Sequence, residues 1–217
     1  MSEYVKFKYG RASDEIATFD EFAELNECRR KLLELQLIGV RSNGVSFGNL
    51  SVRDGVTNNF YVTGSATGAL SELTLADCAK VVAYDFKRNW LRYEGAAIPS
   101  SESLTHAAVY KSDGSARAVI HCHDSSLWLT LLDRVPTTSK AAEYGTPEMA
   151  REIIQLFQTG EAHRRKLFVM AGHEGGIVTF GRDLVEAFAV LMQERKETTQ
   201  LRRWSSSRTV LRGGHGR

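Results

Sequence analysis

Two histidines, His121 and His123, stand either side of Cys122 in the stretch AVIHCHDSSLW. Side chains two apart share one face of a β-strand, so both imidazoles would point one way and Cys122 the other. Imidazole nitrogen suits zinc and similar divalent ions. A polar strand edge would read the same way, and the pair alone leaves both readings open. Two further features favour a metal. His173, in AGHEGGIVTFG, sits at a strand end beside a turn made permissive by Gly172, Gly175 and Gly176. Three histidines with an open coordination position are a catalytic arrangement. Glu102, in IPSSESLTH, falls in the first turn of a helix begun by Pro99, Ser100 and Ser101. An acid there either serves the helix N-terminus or moves protons beside a metal.

The remaining candidates are weaker. His106 follows Glu102 by four residues and shares its helix face, where it either ligates or supports the site. His163 lies among polar, basic residues and reads as a solvated loop, and His215 belongs to a glycine-rich tail. Cys122 reads as core and Glu174 as an exposed turn residue. A cupin also uses His-x-His and a Glu, but its Glu follows the pair closely. Here Glu102 precedes His121, within a helical pattern.

The elements that must position these residues are legible in the periodicity. In TFDEFAELNECRRKLLELQLIG, apolar residues recur at steps of three and four, which predicts a helix. Thr18 and Glu21 form a capping-box pattern and Gly39 offers a stop. GVSFGNLSVR and NNFYVTG read as paired strands. SELTLADCAKVVAYD passes from helix-like to strand-like. SESLTHAAVYKS is a helix, ARAVIHCHD a strand, and DSSLWLTLLDR a helix capped by Asp124 or Ser125. TPEMAREIIQLFQTG is an amphipathic helix ending at Gly160. KLFVMAG and GGIVTFG are strands, and the helix after them starts at an Asp183/Glu186 signal. Several strands lie too close together for crossover helices, so the sheet is at least partly antiparallel. The expectation is one α/β domain with helices packed on that sheet.

Composition narrows the setting. A chain of 217 residues with 42% hydrophobic and 25% charged content suits a single globular domain. No apolar run approaches the roughly 20 residues of a membrane span, and the N-terminus lacks the apolar core of a secretory signal. Three widely spaced cysteines do not make a disulfide framework, which fits a cytoplasmic setting. Net charge is +2. The domain is assigned to residues 1–200, and the arginine-rich 201–217 to a basic C-terminal tail that could be flexible. The tail reads more readily as a terminus or a docking arm than as a nucleic-acid contact.

Five motifs in order, GNLSVR, TGALSELT, PSSESLTH, VIHCHDSSLW and GHEGGIVTFG, resemble the class II aldolase/adducin family over about Cys28 to Leu191. The resemblance implies a three-layer α/β/α fold with a central, largely antiparallel sheet. It implies a zinc site at His121, His123 and His173, where manganese, cobalt or iron could stand in, and Glu102 as the acid/base. It implies a phosphate cradle at Gly48, Asn49, Thr67, Gly68, Ser100 and Ser101, each of which could otherwise be a turn or helix-start residue. The implied partner is a small sugar-phosphate-like substrate, in a cytoplasmic homotetramer with interface active sites and no nucleic acid or membrane. The implied function is a zinc-dependent lyase working through a metal-stabilised enediolate, with aldol cleavage foremost. Dehydration, epimerisation and decarboxylation are variants within the family. A non-catalytic adducin-like domain is the alternative from another class, which the presence of all four site residues opposes. One departure matters. The segment after VIHCHDSSLW is short, and the family's catalytic tyrosine has no counterpart in it; Tyr144 is the nearest candidate.

Overall fold

A computed structural model describes residues 5–212, with side chains over residues 5–200. The elements run β1 (Lys8–Ser13), α1 (Phe22–Glu34), β2 (Gly39–Val40), β3 (Ser46–Phe47), β4 (Asn49–Arg53), β5 (Phe60–Thr63), β6 (Cys78–Asp85) and β7 (Trp90–Glu94). They continue with α2 (Ser103–Ser112), β8 (Ala118–His123), α3 (Ser125–Leu131), α4 (Pro147–Gln158), α5 (Glu161–Arg165), β9 (Leu167–Val169), β10 (Gly176–Gly181) and α6 (Leu184–Arg212). Eight strands form one sheet in the order β1-β7-β6-β5-β4-β8-β10-β9. β1 joins β7 in parallel and the other pairings are antiparallel. The largely antiparallel sheet is therefore as expected. Strands β1 and β7 and the short α5 are additions that the sequence reading did not contain.

Each sheet face has its own apolar core. On one face, Leu25 and Leu32 of α1, Leu127 of α3 and Leu191 of α6 cover Leu50, Ile120, Cys122 and Ile177. On the other, Leu104 and Ala108 of α2 and Met149 and Ile153 of α4 cover Phe60, Val119, Phe168 and Val178. The result is three layers, α/β/α. Alternation along β8 sends Ala118, Ile120 and Cys122 to the first core and Val119 to the second. His121 and His123 continue the Val119 side. Ile120 is fully buried, and truncating it to alanine would cost about 2–5 kcal/mol.

The ends of α1 differ from expectation. The helix starts at Phe22, and Glu21 at its N-cap makes no side-chain capping bond. Phe22 N–H instead donates to Phe19 O at 3.1 Å, while the two rings pack edge to face. A packed backbone turn replaces the Thr18/Glu21 box. The helix stops before Gly39. Gln36 takes the left-handed conformation (φ 57), Gln36 N–H donates to Leu33 O, and Leu37 N–H donates to Leu32 O. This pair of bonds satisfies the terminal carbonyls as glycine normally would, and Leu37 is held in the core beside Leu32. The Asp124 cap of α3 and the Asp183/Glu186 start of α6 are both present.

Helix α6 runs through residue 200, so the boundary set there falls inside a helix. His215 and the last residues of the tail lie outside the described residues. Among the described residues, no helix is long and apolar enough to cross a membrane.

Candidate metal centre

Strand register assembles the site. β8 lies between β4 and β10, with Asn49 opposite His121 on one side and Gly176 opposite His123 on the other. His173 sits in the turn joining β9 to β10. That turn is closed by backbone bonds from Met170 to Gly176, His173 to Met170 and Gly176 to His173, at 2.8–3.1 Å. Together they bring one nitrogen from each of His121, His123 and His173 within 4.8 Å of one another. Nε2 of His121 and Nε2 of His123 are 3.2 Å apart. Two tetrahedral zinc ligands at bond lengths of about 2.0–2.1 Å sit roughly 3.3–3.4 Å from each other. The pair thus stands at ligand spacing already. Nδ1 of His121 faces Ile177 O at 3.3 Å, which favours the tautomer that leaves Nε2 free.

All three rings are held neutral, the form that ligates a metal. Burial takes His121 well below its ordinary value, and its histidine neighbours add to this. Burial and then the charge of Arg41 lower His123 to about 4. Burial and then His123 lower His173 to about 2. Cys122 lies on the opposite face, fully buried.

Glu102 occupies the N-cap of α2 but gives the helix no side-chain bond. The capping explanation of this acid is therefore not what the structure contains. Its Oε2 accepts from the Thr105 hydroxyl at 3.0 Å. Its Oε1 lies 3.3 Å from Nδ1 of His173, outside hydrogen-bond geometry, and both atoms are buried without a partner. Such orphans are rare and costly in proteins unless a ligand completes them. Burial raises the Glu102 carboxyl to about 7, against smaller opposing effects of Thr105 and Lys6.

These groups line one cavity of about 210 Å³, shared with Gly48, Asn49, Thr67, Gly68, Ser100, Ser101 and Tyr144. Asn49 contributes a buried side-chain oxygen with no partner. Gly48 has φ +76, and a Cβ there would collide with Ile38. A Cβ at Gly68 would collide with the carbonyl of Gly39, so this loop can approach the β2–β3 hairpin only as glycine. The Gly68 N–H donates to Ser46 Oγ at 3.2 Å.

His106 does not reach the cavity. It is buried behind it, with Nδ1 2.6 Å from Ser51 Oγ, which also meets Tyr110 OH at 2.7 Å. Tyr144 stacks on the His173 ring at 4.4 Å between centroids, with Lys6 Nζ 3.8 Å from its own ring. His163 is not in a loop. It lies on α5, and its Nδ1 is 2.8 Å from Asp113 Oδ2. Glu174 lines the mouth, exposed and outside the three-histidine group.

Sequence reasoning missed three residues at this site. Arg41 places a guanidinium nitrogen 3.2 Å from Nδ1 of His123. Lys6 reaches the Tyr144 ring from the far end of the chain. Arg29, buried on α1, donates to the carbonyls of Thr67 (2.6 Å) and Leu70 and so holds the cradle loop. Arg41 had a signal, a basic residue in the glycine-broken hairpin just before Gly48 and Asn49. The other two contacts span long stretches of sequence and leave none.

The site is thus a cluster of three histidines that could hold a metal ion, beside a buried, unpartnered carboxyl, in a layered α/β/α domain. The family model for the class II aldolase and adducin N-terminal domain matches residues 35–196, and the chain belongs to that family. A 3-oxo-tetronate 4-phosphate decarboxylase of Haemophilus influenzae is 30% identical over 177 residues, covering 71% of this chain and 75% of that one. An L-fuculose phosphate aldolase of Methanocaldococcus jannaschii is 28% identical over 169 residues, covering 72% and 85%. A solved L-fuculose 1-phosphate aldolase shares the fold with a TM-score of 0.67 at 23% identity, covering 88% of this chain and 89% of its own. The curated relatives are enzymes, and this chain is an enzyme of the same family.

Proposed function

We propose that the protein is a zinc-dependent lyase that breaks a carbon–carbon bond beside the carbonyl of a phosphorylated hydroxy-ketone. The observation that carries this reading is the single cavity in which three neutral imidazoles, an orphaned carboxyl and a ring of hydroxyl and amide groups converge. His121, His123 and His173 would hold the ion. A divalent ion held there supplies Lewis-acid polarisation of a carbonyl and an adjacent hydroxyl. Nitrogen donors suit zinc best, with manganese, cobalt or iron as substitutes.

The chain's own residues do the rest. Asn49, Thr67, Ser100 and Ser101 offer amide and hydroxyl groups to a phosphate, at turns and at the start of α2. Glu102 exchanges a proton with the carbon that gains or loses the bonding electron pair. A carboxyl near 7 is matched to that task at neutral pH. Thr105 holds Oε2 and leaves Oε1 facing the reaction. Aldol cleavage and decarboxylation share this core and differ in what departs. Exposed Leu129 and Val185 supply apolar surface that subunit contacts would cover in a cytoplasmic homotetramer.

Metal analysis tests the reading. The purified protein should take up one divalent ion per chain, and a His121→Ala, His123→Ala double variant should take up none. A wild-type chain that binds no ion would overturn the proposal. Glu102→Gln should keep the ion and lose turnover.

A further inference from the structure

Of the three clustered imidazoles, His173 is the one that no hydrogen bond aims. Nδ1 of His121 faces Ile177 O, and the His123 ring is met by Arg41 and by the backbone of Glu174. Both of those histidines also stand on β8, whose ladders hold the strand from either side. His173 stands in a turn instead. Its Nδ1 is buried without a partner, and among the described residues no hydrogen bond reaches its ring. The torsion that swings an imidazole about its Cβ–Cγ bond is soft, with broad minima. A ligating histidine ordinarily has that torsion set by a hydrogen bond at its second nitrogen.

Tyr144 stands where such a partner would act. Its ring stacks on the His173 ring with centroids 4.4 Å apart and planes 23° from parallel. The other two imidazoles meet His173 less flatly, at 33° for His121 and 74° for His123. Turning the His173 ring out of its plane would drive one edge into the phenol ring. Among the described residues the Tyr144 hydroxyl makes no hydrogen bond, so the residue meets the histidines with its face.

The tyrosine is itself braced. Lys6 Nζ lies 3.8 Å from the centre of its ring and 3.3 Å from Glu143 Oε2. The Asn89 side-chain amide donates to Lys6 O at 3.1 Å and to Gly145 O at 3.0 Å. One amide thus ties the chain ahead of β1 to the turn that carries Tyr144. Thr146 closes that turn, donating from Oγ1 to Glu143 O at 2.6 Å and accepting from Met149 N–H to cap α4.

We propose that Tyr144 is a positioning residue for the metal centre: its ring, braced by Asn89 and Lys6, sets the plane of the His173 imidazole before an ion binds. This rests on the metal reading above. The part assigned to Tyr144 is that of an aromatic face. A phenyl group supplies the same face and an aliphatic side chain does not. Residues remote from the histidines in sequence, at the start of the chain and in the β6–β7 turn, therefore contribute to metal affinity.

The test is zinc affinity, by competition with a chromophoric chelator, for wild type, Tyr144→Phe and Tyr144→Leu. The phenylalanine variant should bind within about twofold of wild type. The leucine variant should bind about 5- to 20-fold more weakly, between the loss of an aromatic pair and the loss of an orienting partner. Asn89→Gly lies outside the cavity and suits the left-handed backbone at that position (φ 48). It removes both amide bonds and should weaken zinc about 2- to 5-fold. Wild-type affinity in Tyr144→Leu, or an equal loss in the phenylalanine and leucine variants, overturns the proposal and leaves the metal reading intact. Unchanged affinity in Asn89→Gly overturns the brace. Wild type that binds no zinc overturns the metal reading, and this inference with it.

Discussion

Glu102→Gln separates catalytic use from structural use of one buried group. Burial holds the Glu102 carboxyl at about 7, against an ordinary value of 4.5. Keeping it ionised in the folded, metal-free protein thus costs roughly 3 kcal/mol. The sign follows from proton linkage. Between 4.5 and 7 the folded state binds the proton more tightly than the unfolded one. The folded state therefore loses stability as pH rises through that window, and the loss is complete above 7. Glutamine is neutral at every pH and can still accept from Thr105. Metal-free Glu102→Gln should be more stable than wild type by about 3 kcal/mol at pH 8, and by less than about 1 kcal/mol at pH 5. For a chain of this size the pH 8 gain corresponds to roughly 6–12 °C in melting temperature. Thermal unfolding of chelator-stripped protein at both pH values reads it directly. The same variant, reloaded, should lose about 10²- to 10⁴-fold in turnover. A stability difference that does not depend on pH, or a variant less stable at pH 8, would refute the view that Glu102 is a desolvated acid kept for its chemistry.

Other outcomes follow from the same geometry. His173→Ala should weaken zinc binding by at least about a hundredfold, measured by competition with a chromophoric chelator; unchanged affinity would remove His173 from the ligand set. Because burial lowers His123 to about 4 and His173 to about 2, protons should compete with the metal only as pH approaches 4. A tenfold loss of affinity between pH 7 and 6 would contradict that. Arg29→Met removes the donor to Thr67 O and Leu70 O. It should cost about 2–4 kcal/mol and raise KM for a phosphorylated substrate more than it lowers kcat. An unmoved KM would show that the cradle loop stands without it.

Local pattern explains what the sequence disclosed. The alternation in AVIHCHD put two imidazoles on one face, because a strand has no other way to display them. Strand β10 after His173, and the helix after Glu102, were legible for the same reason. The ends of α1 were not. Its start is set by packing of Phe19 on Phe22 and its stop by Gln36 adopting a conformation usually left to glycine. Strands β1 and β7 escaped because charged and polar residues interrupt KYGRAS and WLRYE, and pairing between them supplies what local preference lacks. In the site, Arg41, Lys6 and Arg29 act through contacts 82, 138 and 38 residues away. No spacing rule reaches that far. Glu102 was found by its neighbours in sequence, but its unpartnered oxygen and raised value belong to the fold alone.

The central claim is that His121, His123, His173 and Glu102 act together to form and protonate an enediolate. Solvent exchange on dihydroxyacetone phosphate, the smallest phosphorylated hydroxy-ketone of this kind, isolates that step from any question of what departs. In deuterated water the zinc-loaded enzyme should replace one hydroxymethyl proton of this compound, seen by NMR. Exchange should stop on chelation, return on adding zinc, and be absent in Glu102→Gln. Loaded enzyme that leaves the protons untouched, or exchange that survives loss of Glu102, would contradict the account.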